Sequence, residues 1–192
     1  MTRYVYHFIF IMVIAFSPAN VCAQQKYEKE SRLKQDQVPQ EAIDLVDSVQ
    51  TRNKVKWYLD EGLEMTTVEA KFFFNGQRHS VEFDTTGHLI DIEIEVPYKS
   101  LSEDVQTAIS EHLSTYFKRH TIRKVQIQHS GAVAQVLHSV KTVEKTCTIR
   151  YELVVKGKKE DQMFLYEFLF DATGAFISVD QIILSNASNI EY

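Results

Sequence analysis

Apolar positions recur along this chain with two different periods. After Pro39, a residue suited to a first helical turn, Ala42, Leu45, Val46 and Val49 fall on one helical face, and the pattern stops at Arg52-Asn53. A second helix is marked by the stripe Leu101, Val105, Ala108, Ile109, Leu113, Tyr116 and Phe117. Ser102 stands as its N-cap, Glu103 and Asp104 lie in the first turn, and Lys118, Arg119 and His120 sit at the end, each where the helix dipole favours it. Elsewhere the period is two. Val55, Trp57 and Leu59 alternate with polar neighbours, as do Val68, Ala70, Phe72 and Phe74. Further strands are predicted from Gly76 to Asp84, His88 to Val96, Ile122 to Gln128, Lys145 to Val155 and Ala175 to Leu184. Met163 to Phe170 is apolar on both faces and reads as a central strand. Asn75-Gly76, Asp84 to Gly87, Lys156 to Lys159 and Asp171 to Gly174 read as turns. Connections this short require antiparallel neighbours. Between Gly131 and Val143 no period dominates, and the segment reads as strand, loop or both.

The two helices head two similar halves. VEFDTTGHLI (Val81 to Ile90) aligns with FLFDATGAFI (Phe168 to Ile177), and both halves run helix, strands, hairpin. The shared F-D-x-T-G is turn chemistry: the aspartate caps the turn and the glycine takes a positive φ. It is no calcium loop, because one carboxylate supplies too few oxygens. The expected fold class is α+β: two repeats of a helix packed on an antiparallel β-sheet, at 38–97 and 98–185, with the sheet face away from the helices open to water.

The first 23 residues read as a signal peptide: Arg3, the apolar run Phe8 to Phe16, the breakers Pro18 and Asn20, and a cleavage site at Val21-Cys22-Ala23. The run is too short to span a bilayer. A buried N-terminal helix, an uncleaved anchor and lipidation at Cys22 are the alternatives. Residues 24–37 are polar and read as a flexible leader. Once Cys22 is removed, Cys147 remains without a partner for an internal disulfide, and its place in an alternating run makes it a small apolar residue.

Together with the signal peptide, the V-P-x-x-A helix start at Val38 to Ala42, the Lys56-Trp57 strand and the paired F-D-x-x-G hairpins resemble the PepSY-like proteins of Bacteroidetes. Those proteins are similar in fold to the β-lactamase inhibitor protein. The resemblance covers about Val38 to Leu184. It departs at Gly131 to Lys145, an insertion, and at Leu101-Ser102, where the family often has Leu-Pro. It implies a periplasmic or outer-surface location, a non-enzymatic binding role and no catalytic residues to carry over.

Charge adds a restriction. The formal net charge of −5 supplies no global basic field for nucleic acid. No G-x-S-x-G elbow, phosphate loop, dinucleotide fingerprint or HExxH occurs. The histidines after the leader (His79, His88, His112, His120, His129 and His138) show no metal-ligand spacing, and no cofactor is expected. Asp91, Glu93 and Glu95 alternate with apolar residues, so the three carboxylates share a strand face about 7 Å apart. They form either an acidic stripe for a basic partner or cation, or a solvated face balanced by Lys or Arg on adjacent strands. Phe72, Phe73 and Phe74 put aromatics on both faces of one strand. Tyr58 and Phe73 fall on the face away from the helices.

The expectation is therefore an exported, non-catalytic binding module, an inhibitor or modulator of a periplasmic protein or peptidase. Its candidate contact residues are Tyr58, Phe73, Lys54, Lys56, Asp91, Glu93 and Glu95, its partner a protein or peptide of the envelope. The alternatives are an envelope sensor binding a metal or small ligand, and a hydrolase with a dispersed site.

Overall fold

The computed structural model describes residues 24–49, 54–62, 65–142, 144–159 and 161–184. The signal-peptide reading and Cys22 lie outside them. Nine strands are seen: β1 (Gln24–Leu33), β2 (Lys56–Gly62), β3 (Thr66–Phe74), β4 (Gln77–Asp84), β5 (Leu89–Glu95), β6 (His120–Ser130), β7 (Thr148–Lys159), β8 (Gln162–Asp171) and β9 (Phe176–Leu184). Three helices accompany them: α1 (Gln40–Val49), α2 (Glu103–Tyr116) and α3 (Val133–Lys141). Each strand pairs antiparallel with the next, and β1 closes the sheet into a barrel by pairing parallel with β9. Among the described residues, no helix is long and apolar enough to cross a membrane.

The helices cover the outside of the barrel. Ala42, Ile43, Val46 and Val49 of α1 pack on Trp57, Val68, Ala70, Phe72, Val81, Phe83 and Ile92. Val105, Ile109 and Leu113 of α2 pack on Val125, Ile149, Tyr151, Leu153, Tyr166, Phe168 and Phe170. Both faces therefore follow from the alternation, since one side of each strand must lose water. Segment 131–143, where the sequence showed no period, holds α3. Its Val136 is fully buried in the α1 cluster, and Lys141 Nζ donates to Ser48 O at the end of α1 (3.5 Å). A helix from the second half of the chain thus completes the cover over the first.

The matched turns have matched geometry. The Asp84 carboxylate accepts from Thr86 N (2.8 Å), Thr86 Oγ1 (2.6 Å) and His88 N (3.0 Å). Asp171 accepts from Thr173 N (2.8 Å), Thr173 Oγ1 (2.6 Å) and Ala175 N (3.0 Å). The Thr86 hydroxyl and the backbone donors hold Asp84 down to about 2, although it is exposed. Gly87 and Gly174 both have positive φ, 98° and 84°. A Cβ on Gly87 would stand 2.9 Å from Pro39 Cβ, and one on Gly174 3.0 Å from Ala108 Cβ. Each turn is seated against the first half of a helix, so both backbone and space demand glycine.

Three expectations change. The leader, 24–37, is not a loose tail: 24–33 is β1, hydrogen-bonded to β2 and β9. Its polar sequence hid this because its side chains meet charges, as in the Lys29–Glu61 pair (2.9 Å), and most of its order comes from backbone pairing. Second, Lys156 to Lys159 is strand, not turn. Gly157 stays in β7 because the Phe117 ring lies flush against it, leaving no room for a Cβ. Gly157→Ala is expected to cost about 1–3 kcal/mol, read by chemical denaturation, with part of the loss recovered when Phe117→Leu is added. Third, the sheet face away from the helices is not open to water, because closure turns it inward. Thr67, Ser80, Asp91 and Gln126 on that face are all buried, with no helix above them.

Candidate functional site

The inward face carries an unusual density of acid. In register, Glu69 of β3 stands opposite Glu82 of β4, which stands opposite Asp91 of β5. Like charges directly opposite repel. The cross-strand partners of the Asp91-Glu93-Glu95 stripe are Glu82 and Ser130, Ser80 and Gln128, and Gln126. None is cationic, so the balancing Lys or Arg expected from the sequence is replaced by amides and another carboxylate. Gln128 Nε2 donates to Asp91 Oδ2 (2.9 Å) and Gln126 Nε2 to Glu93 Oε2 (2.7 Å). Asp91 Oδ1, Gln126 Oε1 and Gln128 Oε1 are buried and receive no hydrogen bond.

Electrostatics follow from that crowding. Burial, then the charges of Glu82, Glu152 and Glu69, pushes the Asp91 carboxyl up to about 8. Burial likewise holds Glu93 well above the carboxylate range, with Glu152 and Asp91 adding to it. Lys124 offsets part of the rise at Glu93, and Lys71 is already engaged by Glu69 and Glu30. Burial alone would lower the Lys71 ammonium, but Glu69 and Glu30 together hold it above its ordinary value. At neutral pH Asp91 therefore keeps its proton.

Tyr58 belongs to the same face. It is half-buried, with Arg32 and Lys71 over its ring at 5.2 and 5.1 Å, and Arg32 Nη1 donates to its hydroxyl (3.3 Å). Lys56, half-buried, is paired in register with Lys71, whereas Lys54 is exposed ahead of β2.

Phe73 sits elsewhere, at the rim. It is the last residue but one of β3, beside the Asn75-Gly76 turn, and is 53 % exposed, with the Arg78 guanidinium 5.3 Å over its ring. Next to it β5 leaves the sheet. The last backbone bond to β6 is Val96 N to Val125 O (3.0 Å), and Pro97 has no N–H to extend it. β6 reaches back to His120, so residues 121–124 run beyond the end of β5. The gap is a shallow depression of about 480 Å³ lined by Phe73, Arg78, Glu95, Tyr98, Ile122, Arg123 and Lys124. A bulge shapes its wall: Ile122 pairs with Val155 and Lys124 with Val154, leaving Arg123 as the extra, exposed residue.

Of the sequence-derived candidates, the structure brings Phe73 and Glu95 together at the rim, Asp91 and Glu93 inside, and Tyr58 and Lys56 near Lys71. Ile122, Arg123 and Lys124 were missed, because a bulge leaves only a stumble in the alternation, and Arg78 because it is singled out only as the partner of Phe73 across the hairpin. The histidines disperse. His112 stacks on Phe176 at 4.2 Å, and His88 joins the Asp84 turn. His129 Nδ1 lies 3.1 Å from Ser139 Oγ and 3.8 Å from Cys147 Sγ beneath α3. Burial, with His79 and Lys145, holds His129 down to about 4. Among the described residues, no three His, Cys, Asp or Glu side chains converge on a metal position.

Solved structures share this fold. A DUF2874 family protein from Bacteroides uniformis superposes with a TM-score of 0.53 at 14 % identity, over 75 % of this chain and 89 % of that one. A protein from Bacteroides eggerthii, proposed to be periplasmic, gives 0.51 at 12 % identity, over 75 % and 88 %. A BLIP-like protein from Bacteroides fragilis gives 0.49 at 17 % identity, over 81 % and 92 %. No protein-family model and no curated sequence matches the chain.

Proposed function

We propose that this protein is an exported, non-catalytic binding module of the cell envelope that engages a protein or peptide through the rim around Phe73. The observation that carries the reading is a large aromatic side chain more than half exposed beside a groove, where the other described phenylalanines are buried or half-buried. Exposed aromatics flanked by arginine are the anchors that binding surfaces use. The barrel interior is the weaker contact surface, because Asp91 and Gln126 are already enclosed.

The same proposal places the chain with the PepSY-like proteins and treats 38–97 and 98–185 as diverged repeats. The equivalent aspartate turns, each seated on a helix, support it. The likeness to a protein proposed to be periplasmic, with the leader-like first 23 residues, supports export. An inhibitory role, through the inhibitor-like fold, belongs to this proposal too.

Photocrosslinking tests the surface. A photoreactive phenylalanine analogue at position 73 is expected to capture a discrete envelope polypeptide that the same group at the exposed Glu111 of α2 does not. Identical adducts from both positions would refute the rim as the contact surface.

A further inference from the structure

Resting on that reading of the rim, we infer that the groove takes an extended acidic segment with apolar residues between its carboxylates, laid in line with β5 along the free side of β6. Three observations carry this. The groove is locally cationic: Arg78, Arg123 and Lys124 face a single carboxylate, Glu95, on a chain whose net charge is −5. A basic groove on an acidic protein selects acidic ligands and repels further copies of the protein itself. Second, the site has the shape of a missing strand. β5 ends at Glu95, just before Pro97, and Thr121, Ile122 and Lys124 of β6 have ladder pairing on the β7 side alone among the described residues, with Arg123 bulged between them. Four residues of strand offer about 13 Å of edge, enough for a short peptide to add by backbone pairing. Third, the two walls differ in chemistry. Phe73 and Ile122 offer apolar contact, whereas the bulge at Arg123 turns a guanidinium outward where a regular strand would alternate it away. Alternating apolar and acidic side chains on the ligand match those walls.

The test uses two fluorescein-labelled hexapeptides, one alternating glutamate with leucine, the other lysine with leucine, titrated against the purified protein by anisotropy at low salt. The glutamate peptide is expected to bind at least tenfold tighter than the lysine peptide. Arg78→Glu/Arg123→Glu is expected to weaken it at least tenfold and to reverse the preference. Circular dichroism checks that the variant folds; if it does not, Arg123→Gln alone, at an exposed bulge, is expected to weaken the glutamate peptide several-fold. Equal affinity for the two peptides, no saturable binding of either, or indifference to the arginine substitutions overturns the inference. Phe73→Ser separates the two readings. If it weakens both peptides while charge has no effect, the acidic ligand is wrong and the rim stands. If peptides bind and Phe73→Ser changes neither, the rim itself is the wrong surface.

Discussion

Asp91→Asn is expected to raise the melting temperature at pH 8 and to flatten a decline in stability that the unaltered protein shows between pH 6.5 and 8. An unfolded chain ionises this carboxyl near pH 4, whereas in the barrel it holds its proton to about 8. In that interval the native state binds more protons than the unfolded state, so stability falls as pH rises. The shift is upward, and its stabilising contribution is therefore complete below pH 4 and lost by pH 8. The histidines set the lower edge of a clean window. His79, His112 and His129 are all held low, His129 to about 4, so they stay neutral in the fold and oppose the trend below pH 6.5. Above 6.5 the acid pair acts with little opposition. Over those 1.5 pH units Asp91 alone accounts for at most about 2 kcal/mol. Asparagine keeps an oxygen for Gln128 and sets a donor near Glu82, with no charge to desolvate. A gain of about 1–2 kcal/mol at pH 8 follows. Thermal melts by circular dichroism at half-unit pH steps decide the matter. A wild-type melting temperature that stays level or climbs between pH 6.5 and 8 would sink it.

Phe168→Ala is expected to remove about 3–5 kcal/mol, much of the stability of an ordinary domain. Phe168 is fully buried in β8 and is the hub of the α2 cluster. Its ring meets Tyr116 edge-on at 5.2 Å and Phe117 at 5.8 Å, stacks on Phe170 at 6.0 Å, and reaches His112 and Phe176. Alanine leaves a void bounded by rigid rings, which relax poorly. Phe83→Ala, in the α1 cluster, is the matched comparison: equally buried, with Trp57 as its aromatic neighbour at 6.2 Å. Urea denaturation should rank Phe168→Ala as the costlier change. A loss below about 1 kcal/mol would contradict the packing described.

Much of this architecture was legible in the chain, because alternation and turn chemistry are local signals. β3 appeared from the alternation of Val68, Ala70, Phe72 and Phe74, and the helix after Ser102 appeared from its stripe. What stayed hidden depends on distant partners. β1 is polar and gains its order from β2, across the whole of α1, and from β9, the last strand of the barrel. α3 is short, and its buried face is defined by a surface made of other segments. Gly157 reads as a turn until Phe117 is seen against it. At the candidate site, Phe73 could be placed from strand parity, whereas Arg78 and Arg123 could not. Arg78 meets it through the register of the β3–β4 hairpin, and Arg123 because β5 stops at Glu95 and β6 bulges. The acidic stripe was visible, but its enclosure was not, since curvature leaves no mark on a sequence.

The parallel seam between β1 and β9 has a temporal consequence. Residues 24–28 align with 180–184, so the seam joins the first and last strands of the barrel. A nascent chain that lacks β9 cannot shut the ring. Loop-closure entropy over such a span makes this contact a late folding event. Closing the ring takes the Asp91 carboxyl out of water, so at neutral pH the final stitch is coupled to its uptake of a proton.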